Sequence, residues 1–243
     1  MIESDSIQYG TTIIPYSISY SPRRKNLAIA VYPTKKVEVK APYKTKPEII
    51  RRLVQKKASW VIKHVEWFNQ FEYINVEKEY VNGETFLYLG RQYRLKIIKS
   101  HERSVTKLRG RYFEVSVPEH VTEKMRVELV KEALFTWYKS HAEEIIDIAV
   151  DKYSKKLGIK TPDTKVKYQL KRWGSCTPSN ILNINLQIAM APMSQIEYVV
   201  AHELCHIKYK NHSSDFWQLL RIIMPDYELR KDNLRKEGWR YVL

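Results

Sequence analysis

The chain has 243 residues, 44% of them hydrophobic and 12% aromatic, and a formal net charge of +15. That length allows one large domain or two small ones, and that apolar content excludes wholesale disorder. No apolar run reaches the roughly 18 residues of a membrane span, Met1 to Gly10 has no basic-then-apolar leader pattern, and two cysteines make no disulfide framework, so the expected setting is the reducing cytoplasm, away from membranes.

In chain order, residues 12–18 read as a strand in which Pro15 marks an edge or a bulge. Residues 27–31 and 37–39 follow as strands around Pro33-Thr34, and residues 21–26 read as a basic hairpin loop. A helix is expected from Thr45-Lys46-Pro47-Glu48, with Thr45 and Glu48 as a capping box, to about Asn69. Its Ile49, Leu53, Trp60, Val61 and Trp67 read as core members rather than as a base-stacking platform. After the turn Val81-Asn82-Gly83-Glu84 come strands at 85–89 and 92–98 around Gly90, then a hairpin, 105–108 and 112–117, around Arg109-Gly110-Arg111. Thr122 can cap a long helix that stops at Gly158, with Leu129, Ala133, Leu134, Trp137, Ile145 and Ile146 on its apolar side. Residues 164–191 look extended again: Val166, Tyr168 and Leu170 alternate with polar residues, residues 174–180 interrupt, and residues 181–186 resume. The expected organisation is a β-rich region with one helix over 1–118 and a catalytic region over 119–243, an α+β protein.

The positive charge is uneven, +10 over residues 1–120 and +5 over 121–243. An excess of this size suits a polyanion such as non-specifically bound nucleic acid; it equally suits a solvated basic surface. No zinc ribbon, Walker loop or nucleic-acid motif accompanies it.

The sharpest signal is His202-Glu203-Leu204-Cys205-His206, an H-E-x-x-H stretch. On a helix its two histidines lie on one face, one turn apart, within reach of a single Zn²⁺. Glu203, one position round, can hold a water and take its proton without binding the metal. His212 follows after five residues as a third ligand, with Glu228 as the rival candidate. Ser194 as N-cap and Glu197 at the third helical position predict the helix start, and Ile196, Val200, Leu204 and Ile207 form its apolar stripe. Strands feeding this helix could offer an edge to an extended polypeptide.

Arg172-Trp173-Gly174-Ser175-Cys176, Asn183, Asn185, the H-E-x-x-H stretch and Asn211-His212-Ser213-Ser214-Asp215-Phe216-Trp217 together resemble the YgjP-like family of zinc metallopeptidases. The basic N-terminal segment, residues 57–60 and Tyr88-Leu89-Gly90 also fit, so the resemblance covers nearly the whole chain. It implies a zincin-like catalytic region with zinc on His202, His206 and His212, and a distant kinship with SprT-like proteases that act on proteins crosslinked to DNA. Metzincins share the histidine spacing but carry a glycine where this chain has Tyr209, so the path to His212 must differ, with Asn211 a candidate left-handed residue and Ser213 a cap for the next helix.

The other candidates have more than one reading. Arg172 can meet an anionic intermediate or substrate carboxylate, or pair with a structural carboxylate. Tyr209 and Tyr227 are candidate oxyanion donors. Trp173 and Trp217 read as packing beside the site, Cys205 as a small buried hydrophobe, and Cys176 as a packed residue or a second metal ligand. The expected activity is zinc-dependent hydrolysis of peptide bonds in a polypeptide substrate, with Glu203 as general base. The alternatives are a nucleic-acid-binding or adaptor protein with a structural zinc site, and a zinc hydrolase of a non-peptide bond.

Overall fold

The computed structural model describes residues 2–32, 34–69, 78–100, 105–169 and 172–243. Leu170 and the side chain of Trp67, both assigned above to regular structure, lie outside the described residues. The chain divides into two units, Met1–Glu77 and Lys78–Leu243.

The first unit is a four-stranded sheet with two helices. Strands β1 (Ile2–Tyr9), β2 (Thr12–Ser21), β3 (Ala28–Val31) and β4 (Val37–Pro42) lie in the order β1-β2-β4-β3. Ile14, Tyr16 and Ile18 alternate inward with Val37, Val39 and Ala41, as the two-residue period of a strand requires. Pro15 does not mark an edge, because β2 is an interior strand. The parallel ladder to β4 begins only at Ser17, so Pro15 pairs with Ser6 on one side and owes the other side no N–H. The single helix expected over 45–69 is two, α1 (Pro47–Lys56) and α2 (Ala58–Asn69), broken where Lys57 leaves helical geometry at φ −103°, ψ 6°. Its buried stripe is Ile50, Val54, Ala58 and Val61; of the expected core members Val61 is buried and Leu53 half-buried, whereas Ile49 and Trp60 are exposed. Thr45 and Glu48 form no capping box: the Thr45 hydroxyl donates to the Pro42 carbonyl, and α1 starts with Pro47 in its first turn instead.

In the second unit, β5 (Thr85–Tyr88), β6 (Arg91–Ser100), β7 (Thr106–Arg109) and β8 (Tyr112–Pro118) form a sheet in the order β5-β6-β8-β7. One face, Phe86, Leu95, Phe113, Val115 and Val117, is buried in the same core as Val130, Leu134, Trp137 and Tyr138 of the long helix α3 (Glu123–Leu157). The Tyr138 hydroxyl donates to the Leu87 carbonyl at 2.5 Å and fastens helix to sheet. Thr122 caps α3 by accepting from the Met125 N–H, and Gly158 ends it in the left-handed region at φ 62°, as the residue types require.

The chain then forms a three-stranded sheet, β9 (Thr164–Lys167), β10 (Gly174–Cys176) and β11 (Leu182–Asn185), in the order β10-β11-β9. A short 3-10 turn, Leu186–Met190, leads into α4 (Met193–Lys208), α5 (Ser214–Ile223) and α6 (Tyr227–Glu237). The N–H groups of Leu89 and Gly90 donate to the carbonyls of Ala189 and Met190, both at 2.9 Å, so the β5–β6 turn docks on the approach to α4. Gly90 sits at φ +77°, and a Cβ there would lie 2.7 Å from Pro192, so the turn admits no side chain.

The division at Glu77–Lys78 differs from the expected boundary after Pro118, because β5–β8 share their core with α3. The architecture is α+β, and no described helix is long and apolar enough to cross a membrane. The predicted cap of α4 also differs: the N-cap is Pro192, with no side-chain cap. Glu197 instead accepts from Lys152 at 2.5 Å, Arg230 at 2.7 Å and the Tyr153 hydroxyl at 3.2 Å, joining α3, α4 and α6. Burial alone would raise its carboxyl, but the Lys152 and Arg230 bonds hold it below the ordinary carboxylate range.

In the first unit, Arg51 of α1 donates from Nε and Nη2 to the Asp5 carboxylate at 3.2 and 3.1 Å, and the Tyr16 hydroxyl adds a bond of 2.7 Å. The Arg51 bond first, then that of Tyr16, lower the Asp5 carboxyl to about 2. A depressed carboxyl stabilises the fold fully above its unfolded value, about 3.9. That contribution is lost as pH falls toward about 2. Asp5→Asn should therefore be less stable than wild type near neutrality. Denaturant midpoints measured against pH should show the gap closing between about pH 4 and 2; a gap independent of pH would rule out the carboxylate as its source.

Candidate metal centre

Helix α4 is buried through Ile196, Val200, Ala201, Leu204 and Cys205, which leaves His202 and His206 together at one edge. The chain leaves α4 at Tyr209, whose backbone is extended, and turns back so that His212 meets them. Asn211 is not among the described residues with positive φ, so the turn is made without the left-handed step expected there. Ser213 is the N-cap of α5 by position, but its side chain makes no cap bond. One ligand atom from each of the three histidines lies within 4.8 Å of the others, and Nε2 of His202 and of His212 are 3.0 Å apart. Nitrogens round one tetrahedral zinc would stand about 3.3 Å apart, so the spacing fits an ion.

The donor chemistry fits as well. The Tyr209 carbonyl lies 3.0 Å from Nδ1 of His206, so that nitrogen carries the proton and Nε2 keeps its lone pair for the cluster. Burial first, then the neighbouring His206 and His212, push the His202 imidazole down to about 3; burial also lowers His212. Neutral imidazoles are the form that binds a metal. Phe216 lies beneath all three rings, with centroid distances of 4.9 Å to His202, 4.6 Å to His206 and 4.8 Å to His212. Trp217 stacks on His212 at 5.4 Å and on Tyr227 at 5.6 Å.

Glu203 is buried beside the cluster, against β10. A Cβ on Gly174 would lie 2.7 Å from Cγ of Glu203 and 2.8 Å from Oε1, so only glycine lets the strand pass. Burial raises the Glu203 carboxyl to about 7, against the opposing charge of Arg172 and a hydrogen bond from the Cys176 N–H. The Asn185 N–H donates to the Trp173 carbonyl and the Thr177 N–H to the Ile181 carbonyl. Strand alternation therefore turns the backbone groups of Gly174 and Cys176 away from β11, toward the open edge. Asn185 anchors the approach to β10 by donating to the carbonyls of Gln169, at 2.7 Å, and Arg172, at 3.2 Å.

A family model described as YgjP-like, metallopeptidase domain, matches residues 25–237. The chain belongs to the YgjP-like metallopeptidase family. That family implies a metal cofactor and a polypeptide substrate for this domain. Two solved structures are similar in part. The metallopeptidase zymogen abylysin of Pyrococcus abyssi is 16% identical over 38% of this chain and 90% of its own, with a TM-score of 0.33. The metallopeptidase zymogen jannalysin of Methanocaldococcus jannaschii is 23% identical over 37% of this chain and 85% of its own, also at 0.33. No curated protein matches the chain.

The other candidates are placed differently. Glu228 lies outside the histidine cluster; its carboxylate accepts from Arg221 at 2.9 Å and from the Tyr227 hydroxyl at 3.0 Å. Tyr227 thus directs its hydroxyl at Glu228 and its ring at Trp217. Tyr209 contributes its carbonyl to His206, and its side chain is exposed. Arg172 is exposed, with its charge acting on Glu203. Trp173 packs on Tyr241 and against Gly238. Both cysteines are free: Cys205 is buried, which pushes its thiol up to about 12, and the Cys176 thiol donates to the Thr177 carbonyl at 3.5 Å. Two contributors escaped the sequence reading. Gly174 carried a signal, since glycine inside a strand marks close approach. Lys231, whose ammonium lies 4.6 Å from the Trp217 ring, carried none.

Gly174→Ala should cost about 1–3 kcal/mol of stability by driving a methyl into Glu203. Glu203→Ala removes the atoms that clash, so the double variant should lose less than the sum of the two. Additive losses in denaturant unfolding would place the strain elsewhere.

Proposed function

We propose that this domain is a zinc-dependent peptidase with a zincin-like site: His202, His206 and His212 hold the metal and Glu203 is the general base. The observation that carries the reading is the convergence of three imidazoles beside a buried carboxylate that belongs to none of the ligand positions. A structural metal site has no use for that carboxylate, which is costly to bury. Zinc held there supplies Lewis acidity and lowers the pKa of a coordinated water.

The chain's own residues do the rest. Glu203 accepts a proton from water and passes it to the leaving amine, while Gly174 holds the strand close enough to keep that carboxylate in place. The Gly174 backbone groups and the Cys176 carbonyl, turned away from β11, give an extended polypeptide hydrogen-bond partners without reading its side chains, while the Cys176 N–H is taken by Glu203. Arg172 keeps positive charge beside the reacting region, suited to the oxyanion that forms. The two free cysteines suit a reducing compartment, the cytoplasm in our reading.

The metal assignment predicts about one zinc per chain by elemental analysis. His202→Ala and His206→Ala should lose most of it and His212→Ala should bind it more weakly; full occupancy in a His202→Ala, His206→Ala double variant would refute the ligand set.

Glu203→Gln should keep zinc and fold but lose hydrolysis by roughly 10²-fold or more. Substrates for this comparison come from a proteome-wide cleavage screen of wild type against the same variant. Equal cleavage by zinc-loaded Glu203→Gln would remove Glu203 from the mechanism.

A further inference from the structure

The solvent face of the β5-β6-β8-β7 sheet has no part in the metal centre, yet its residues are not those of an idle surface. Between Thr85 and Val117 the chain carries eight Lys and Arg against two Asp and Glu. Register fixes how they are displayed. Thr85 pairs with Arg94, Arg94 with Tyr112, and Tyr112 with Arg109, so two guanidinium groups flank one tyrosine in a single cross-strand row. The next row is Lys96, Glu114 and Lys107. Phe113, Leu95 and Val115 point the other way, into the core, so both rows face out.

Glu114 is the one carboxylate among the described residues of these four strands, and it is already shared by Lys96 at 3.0 Å and Arg109 at 3.7 Å. Tyr112 is 43% exposed, with the Lys96 ammonium 5.9 Å from its ring centre. The two-residue turn between Arg109 and Tyr112, made by Gly110 at φ +56°, carries Arg111 at its tip. A depression of about 640 Å³ opens at this end of the sheet, lined by Arg91, Arg94 and Arg111 with Tyr93 and Tyr112, and no carboxylate lines it.

We propose that this face binds single-stranded nucleic acid, with Arg94 and Arg111 on successive phosphates and Tyr112 stacking on a base. Planar guanidinium groups match phosphate oxygens two at a time, and several together make a polyanion site whose strength depends on salt. An acidic peptide would also satisfy the arginines, but it has no use for an exposed ring set between two of them in one row. A nucleobase does, because every base has a face to stack. This site is separate from the histidine cluster and does not depend on its assignment.

The test is fluorescence anisotropy of the full-length protein with a labelled oligothymidylate of about twenty nucleotides, titrated at several salt concentrations. Arg94→Glu with Arg111→Glu should weaken binding at least about tenfold more than Arg23→Glu with Lys25→Glu, a control of equal charge change in the first unit. Arg94→Gln and Arg111→Gln, which spare the sheet a charge reversal, should each lower the salt slope by about one. Tyr112→Ala should weaken oligothymidylate at least about fivefold and leave the weak binding of poly-L-glutamate unchanged. Thermal melting checks that each variant is folded. Equal losses in the two double-reversal variants would overturn the proposal in favour of diffuse charge. Displacement of the oligonucleotide by poly-L-glutamate of equal charge, with no effect of Tyr112→Ala, would overturn it in favour of an acidic polypeptide.

Discussion

Helix α4 has to be buried on most of its circumference and still present two imidazoles and a carboxylate at one edge. Ile196, Val200, Ala201, Leu204 and Cys205 take the burial, so the helix is held by packing and not by its ends; its N-terminus has no side-chain cap at all. Glu197, placed where a capping residue was expected, serves the same end by another route, binding Lys152 of α3 and Arg230 of α6. The histidine cluster and the Glu203 carboxylate beside it are built outward from that fixed helix edge.

Strand β10 lies against both Glu203 and the open edge of its sheet. A short edge strand passes so near Glu203 that only glycine fits, and the Cys176 N–H binds the carboxylate there. The same strand turns its remaining backbone groups outward. One element thus both orients the proposed base and offers a line along which a polypeptide could lie, which couples base position to substrate position through a rigid backbone. On the opposite side, Phe216 under the three rings and Trp217 against His212 confine the third histidine, which stands on a loop that would otherwise be free to move.

Local pattern does not settle which face of an element the rest of the fold buries. In α1 and α2 the apolar residues occupy two adjacent stripes that share Val61, and the sheet beneath selects the one through Ile50, Val54 and Ala58 over the one through Ile49 and Trp60. Thr45 and Ser194 are good caps by type, but α1 begins at Pro47 with Lys46 as its N-cap, α4 begins at Met193 after Pro192, and the hydroxyl of Thr45 bonds the Pro42 carbonyl. Pro15 reads as an edge residue, yet a strand flanked on both sides can hold it where one ladder has not begun. The boundary after Pro118 followed a change from strands to helix, whereas β5–β8 bury one face on that very helix.

By itself the sequence determined what depends on fixed local geometry. Four residues of helix bring His202 and His206 to one side, one residue turns Glu203 off that axis, and glycine after a long helix gives the stop at Gly158. Those relations follow from backbone dihedrals and need no partner. Tertiary structure decided the rest: that the His212 ring meets the other two while Glu228 pairs with Arg221 and Tyr227; that Gly174 lies on Glu203, 29 residues further along the chain; and that Arg94, Tyr112 and Arg109 fall in one row. The Gly174–Glu203 approach and the Arg94–Tyr112 pairing join residues far apart in sequence, and the free energy that selects them comes from burial of surfaces that no short window of sequence contains.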